Sequence, residues 1–148
     1  INFMKHTQKG RVFTEIILEI FKLSGMLSIE GDRLTKPQGI SSARWKILGA
    51  LAYSNTAMTV SQIARQMGQS RQSVQRLVDA MYQDDLLNLE ENPDHKRAKL
   101  VSMTPSGASI YENMEAIQTP WANEKAANVD AENLEITLET LKQLSTNF

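Results

Sequence analysis

The stretch Thr59–Thr104, TVSQIARQMGQSRQSVQRLVDAMYQDDLLNLEENPDHKRAKLVSMT, carries so many start and stop signals that few chain paths remain open to it. Thr59 is a good N-cap for a helix whose apolar residues Val60, Ile63, Ala64 and Met67 fall at helical spacing. Gly68 ends that helix, and Ser70 caps a second one in which Val74, Leu77, Val78 and Met81 follow the i, i+3, i+4, i+7 pattern of one buried stripe. Small Ala64, four positions before the glycine and ten before Val74, suits two helices crossing closely around a turn of about three residues. Two short strands follow, Leu86–Glu91 and Ala98–Met103, with a turn announced by Asn92-Pro93 between them. The spacing therefore predicts a helix-turn-helix followed by a hairpin.

The outward face of the second helix carries Arg71, Gln72, Ser73, Gln75 and Arg76, next to the cap Ser70. Arginine donates a fork of hydrogen bonds to guanine, glutamine pairs bidentately with adenine, and serine or arginine grips phosphate, so the set suits a DNA major groove. A merely solvated helix face is the competing reading. Against it stands the absence of any acid among those first exposed positions, in a chain holding 17 Asp and Glu against 16 Lys and Arg. Acids return at Asp79, Asp84 and Asp85, beyond the N-terminal half through which recognition helices dock. The hairpin tip carries His95, Lys96 and Arg97. Alone it would be an ordinary charged tip; one hairpin after a helix-turn-helix, its cations are placed to reach a minor groove. A histidine there is expected to add charge in mild acid.

Charge supports the same orientation once it is divided along the chain. Residues 1–60 hold eight Lys and Arg against four acids, 61–107 hold six against six, and 108–148 hold two against seven. The acids gather away from the proposed DNA face, although the net charge is only −1. With no cysteine there is no disulfide, thiolate metal site or thiol redox switch. His6 and His95 have no partner set at ligand spacing, and no phosphate-cradling glycine loop is present, so neither an enzyme nor a metal or cofactor site is expected. No apolar run approaches a membrane span and INFMKHTQKG lacks a continuous apolar signal core, so a cytoplasmic protein is expected.

From Ile40 to Gly107 the sequence resembles the MarR family of bacterial winged-helix transcriptional regulators. ISSARWKILGAL is similar to the family's second helix, NPDHKRAKLVSMTPSG to its wing and the entry to its fifth helix, and QTPWANEKAANVDAENL to the distal part of some members. The resemblance implies a homodimer on a pseudo-palindromic operator, commonly a repressor released by a small molecule. It further implies base and phosphate contacts from Ser70 to Arg76 and wing-tip cations at Lys96 and Arg97. Three positions depart from the pattern. Asn92 and His95 stand where many members have an aspartate pair orienting the tip arginine, Asp85 stands where glycine is frequent, and Arg44 where glutamine is common.

The expected fold is mainly α with a small β-hairpin wing, in one chain domain of residues 1–148. Within it, residues 36–104 form a winged helix-turn-helix DNA-binding lobe, and residues 1–35 and 105–148 a helical dimerisation lobe. Val12, Phe13, Ile16, Ile17, Ile20, Phe21, Leu23 and Leu27 give an N-terminal helix of about twenty residues a broad apolar face. Thr104-Pro105 opens a long helix that Pro120 is expected to kink or interrupt, and Asp130 caps a last helix striped by Leu134, Leu138, Leu141 and Leu144. Such apolar surface calls for a second copy, and a twofold dimer sets two recognition helices about 34 Å apart. In regulators of this kind a ligand commonly sits between the lobes, which points to Phe21, Met26 and Trp45, although aromatic and Met residues at helical spacing are more often plain core. The competing function is a winged-helix protein-interaction module without DNA binding, whose exposed helix would carry apolar anchors instead of cations and amides.

Overall fold

A computed structural model describes residues 4–148; positions 1–3 of the expected 1–35 segment lie outside the described residues. The element order is α1 (Gln8–Thr35), a 3-10 turn (Lys36–Gln38), α2 (Ser42–Ser54), α3 (Val60–Met67), α4 (Arg71–Gln83), β1 (Leu87–Glu90), β2 (Leu100–Met103), α5 (Pro105–Ala126) and α6 (Ala131–Ser145). The chain packs as two units, one reaching Met114 and the other Glu115–Phe148.

In the first unit the core is built from every element between α2 and α5. Ile47 and Leu48 of α2, Ile63 of α3, Val74, Val78 and Met81 of α4, Leu87 and Val101 of the hairpin and Met114 of α5 are sealed from solvent. Leu77, expected on the buried stripe, is half-buried instead. β1 and β2 pair antiparallel with Leu87 opposite Met103 and Glu90 opposite Leu100, so the regular ladder stops short of the Asn92–Arg97 tip. Met58, in the loop before α3, exchanges two backbone hydrogen bonds with Val101 (3.1 and 2.7 Å), which ties β2 to the start of the helix-turn-helix.

Each junction in this unit has an identifiable lock. Thr59 and Gln62 satisfy each other's backbone N–H groups with their side chains (3.2 and 2.9 Å), a reciprocal cap at the start of α3. Gly68 ends α3 with φ 65°, a left-handed conformation glycine adopts without steric cost. Where α1 meets α2, the Asp32 carboxylate accepts the Ser42 backbone N–H at 3.0 Å. That bond and a second from the Ser42 hydroxyl hold the Asp32 carboxyl below its usual value; desolvation opposes them, and Lys46 adds a smaller attraction. Gly31 lets this corner close, since a Cβ there would lie 2.9 Å from the Cβ of Ser42.

The exit of the second helix is fixed from two sides. Asp85 takes φ 59°, a left-handed conformation that aspartate adopts more readily than most non-glycine residues. Its neighbour Asp84 caps α4 and receives the Arg44 guanidinium at 2.6 Å. That contact gives Arg44 a role: it neutralises a carboxylate at the end of a helix where negative charge is unfavourable. On the other side buried Thr104 donates its hydroxyl to the Asp85 carbonyl (2.7 Å), accepts the Gly107 N–H (3.0 Å) and donates its own N–H to the Leu86 carbonyl (3.1 Å). Gly107 is pressed so closely on Leu86 that an added Cβ would run into the Leu86 carbonyl oxygen.

Two outer helices differ from expectation in extent. α1 runs from Gln8, capped by Thr7, through Thr35, longer at both ends than its apolar pattern indicated. α5 passes through Pro120 without interruption, because proline removes one N–H donor and the turns on either side keep theirs. In the second unit, α6 begins as expected at Asp130, whose carboxylate accepts the N–H groups of Glu132 and Asn133 (2.8 and 3.3 Å). Leu134, Leu138 and Leu141 are exposed on it.

Candidate nucleic-acid interface

Helix α4 starts from Ser70, whose Oγ accepts the Ser73 N–H at 3.1 Å and donates to the Ser73 hydroxyl at 2.9 Å. Ser70 is thereby committed to shaping the helix start, and its hydroxyl proton is directed at Ser73. Beyond the cap, Arg71, Gln72, Ser73 and Arg76 are exposed, and among the described residues neither arginine forms an ion pair. The buried side of the same helix is fixed by Val74, Val78 and Met81, so the outward residues are held on a rigid element.

Between α4 and the hairpin runs a groove of about 300 Å³ lined by Arg71, Gln75 and Asp79 of the helix and by Arg97 and Lys99 of the hairpin, with Thr59 and Ser61 also bordering it. Three residues singled out from sequence, Arg71, Gln75 and Arg97, therefore share one surface although the last is more than twenty positions away in the chain. The sequence reading set Asp79 apart from this surface, yet it lines the groove. Four residues after Gln75 it lies on the same helix face, and it accepts the Gln75 side-chain amide at 2.9 Å. Gln75 keeps its carbonyl oxygen for another partner while its amide is held. Lys99 was not among the residues expected from sequence; it stands just before β2, directly after the turn that carries Arg97.

At the wing tip Lys96, Arg97 and His95 are all exposed. Among the described residues none of them forms an ion pair, so the wing lacks a charge pair orienting its arginine. Its turn is braced by side-chain to backbone bonds: Asn92 Oδ1 accepts the Asp94 N–H at 3.0 Å, and His95 Nδ1 accepts the Arg97 N–H at 3.2 Å. A bare Nδ1 is a feature of the neutral ring, so in this arrangement His95 braces the turn and brings no charge.

Phe21 and Met26 are exposed on α1, and Trp45 is half-buried on α2. A second groove, of about 510 Å³, opens between α1, α2 and the turn after α3, lined by Ser24, Lys46, Tyr53 and Gln66–Gln69 among others, and none of those three borders it. No group of His, Asp and Glu among the described residues is arranged to hold a metal ion, and no helix among them is long and apolar enough to cross a membrane.

Comparison with known proteins bears on the same region. Residues 38–98 match the model of the MarR family. An uncharacterised protein of Mycobacterium tuberculosis is 30% identical over 129 residues, covering 87% of this chain and 89% of its own. The transcriptional activatory protein BadR of Rhodopseudomonas palustris is 28% identical over 106 residues, 70% of this chain and 61% of BadR. In fold, the chain is similar to a mutant of MarR from E. coli complexed with operator DNA, with a TM-score of 0.69 and 24% identity over 89% of this chain and 96% of that one. With its capped helix-turn-helix, basic groove and two-stranded wing, the chain belongs to the MarR family of winged-helix, DNA-binding transcriptional regulators.

Proposed function

We propose that this protein is a sequence-specific regulator that binds a pseudo-palindromic operator as a homodimer, represses from it, and is released by a small-molecule effector. The observation that carries the DNA part is the groove in which Arg71, Gln75 and Arg97 meet, beside exposed Gln72, Ser73 and Arg76. Residues 36–104 then form the DNA-binding lobe, and residues 1–35 and 105–148 the dimerisation lobe. The apolar side chains left exposed in a single chain support this, among them Leu18, Phe21 and Ile29 of α1 and Ile136 and Leu138 of α6. The BadR name leaves repression to be tested on this chain's own promoter.

Selection from a random duplex library at near-physiological salt tests the reading. An inverted repeat with half-site centres about one helical turn apart is the expected result. Weak, salt-labile binding with no motif would instead favour an interaction module. Placed between a promoter and a reporter, the selected operator gives the sign: lower transcription with the protein present is expected. Effector release requires a ligand that prefers the DNA-incompetent state. Its test is a metabolite screen read by operator release alongside the emission of half-buried Trp45; a ligand that changes the fluorescence at unaltered operator affinity would not be an inducer.

A further inference from the structure

We propose that His95 is a positioning residue for the wing-tip cation Arg97, acting as a neutral hydrogen-bond acceptor. The inference deepens the reading of the wing as a DNA contact and rests on it. The ladder between β1 and β2 closes with Glu90 opposite Leu100, so the tip beyond it must be held by its own bonds. Two consecutive turns do so: the His95 N–H donates to the Asn92 carbonyl and the Ala98 N–H to the His95 carbonyl, each at 3.2 Å. Each turn is braced again by the side chain of its first residue, which accepts the N–H two positions on, from Asp94 for Asn92 and from Arg97 for His95.

The second brace is unusual in chemistry. Asn and Asp make this bond with an oxygen, whereas here an imidazole makes it with Nδ1. The bond requires the ring to be neutral with its proton on Nε2. It fixes the backbone of Arg97, and with no ion pair on that guanidinium among the described residues, the backbone decides where the side chain leaves the tip. His95 thus serves the site through the residue it holds. Without the brace, the tip would be ordered only on binding, at the expense of affinity.

The test uses the intact chain and its selected operator at pH 8 and constant salt, comparing wild type with His95→Ala, His95→Asn, Arg97→Ala and the double variant His95→Ala/Arg97→Ala. His95→Ala is expected to weaken binding about tenfold, the cost of ordering roughly one backbone residue. His95→Asn, whose Oδ1 can repeat the bond made by Asn92, should recover most of that loss. In the Arg97→Ala background His95→Ala should cost nothing more. In the free protein the Arg97 amide proton should exchange faster in His95→Ala and not in His95→Asn. Equal losses in both backgrounds would mean that His95 acts by a contact of its own and would overturn the proposal, as would failure of asparagine to rescue or full affinity in His95→Ala while Arg97→Ala is weak. Unchanged affinity in Arg97→Ala would remove the wing contact itself, and the proposal with it.

Discussion

Arg76 and Lys96 present the same charge to solvent but from different supports, one on a packed helix and the other on a braced turn. If Arg76 reads a base, Arg76→Ala should lose about 1–3 kcal/mol on the selected operator and relax preference at one position. Lys96→Ala should weaken all duplexes alike and reduce the salt slope by about one. Titrating each variant against operator and scrambled duplex at two salt concentrations separates the two cases. The Arg44–Asp84 contact joins residues forty positions apart, which is why local sequence signals gave Arg44 no meaning. Both partners are partly solvated, so a double-mutant cycle with Arg44→Gln and Asp84→Asn should return a coupling of about 0.2–1 kcal/mol in urea denaturation. Asp32 makes a prediction in pH. Its folded pKa lies below the ordinary 3.8, so the stability it adds is fully present above that value and disappears as pH falls through the folded one. The gap in urea midpoint between wild type and Asp32→Asn should be open at about pH 6 and narrow below about pH 4.

Elements whose limits are written within four residues were legible in advance. Thr59, Gly68, Ser70 and Asp130 all cap or stop the helices they were read to cap or stop, because a side chain bonding to an N–H two or three positions on needs nothing from the rest of the fold. Features set by distant packing were not. α1 runs beyond its apolar pattern to Thr35, through a corner where Gly31 and Asp32 lie against Ser42 of α2. Proline at 120 signals an interruption locally, yet one missing donor does not end a helix continued on both sides. The candidate site divides in the same way: the α4 residues and tip cations followed from periodicity and turn signals, whereas the meeting of Arg97 with Arg71 across a groove, the inclusion of Asp79 and the Met58–Val101 tie came only with tertiary structure. At the element scale the α4–β1 corner is the sharpest test of packing. Gly107→Ala drives a methyl into the Leu86 carbonyl and should destabilise the chain by about 1–3 kcal/mol, measured by thermal or urea unfolding.

For the molecule as a whole, the apolar side chains left in solvent on α1 and α6 make self-association the natural expectation. Sedimentation at micromolar concentration should return a dimer, and Leu138→Glu, a change at an exposed position of the single chain, should shift it toward monomer and weaken operator binding together; a dimer indifferent to that change would remove α6 from the interface. The division of charge, with two basic against seven acidic residues in 108–148, would turn the basic portion of each copy toward a polyanion. The Thr104 corner bears on redesign. Thr104 and Gly107 weld the exit of α4 to the first turn of α5, while Arg44 holds its last residue from α2. If α4 reads the operator, transplanting its sequence into a related scaffold would carry over the letters without their angle of presentation, and a faithful specificity swap would have to bring Arg44, Thr104 and Gly107 along with the helix.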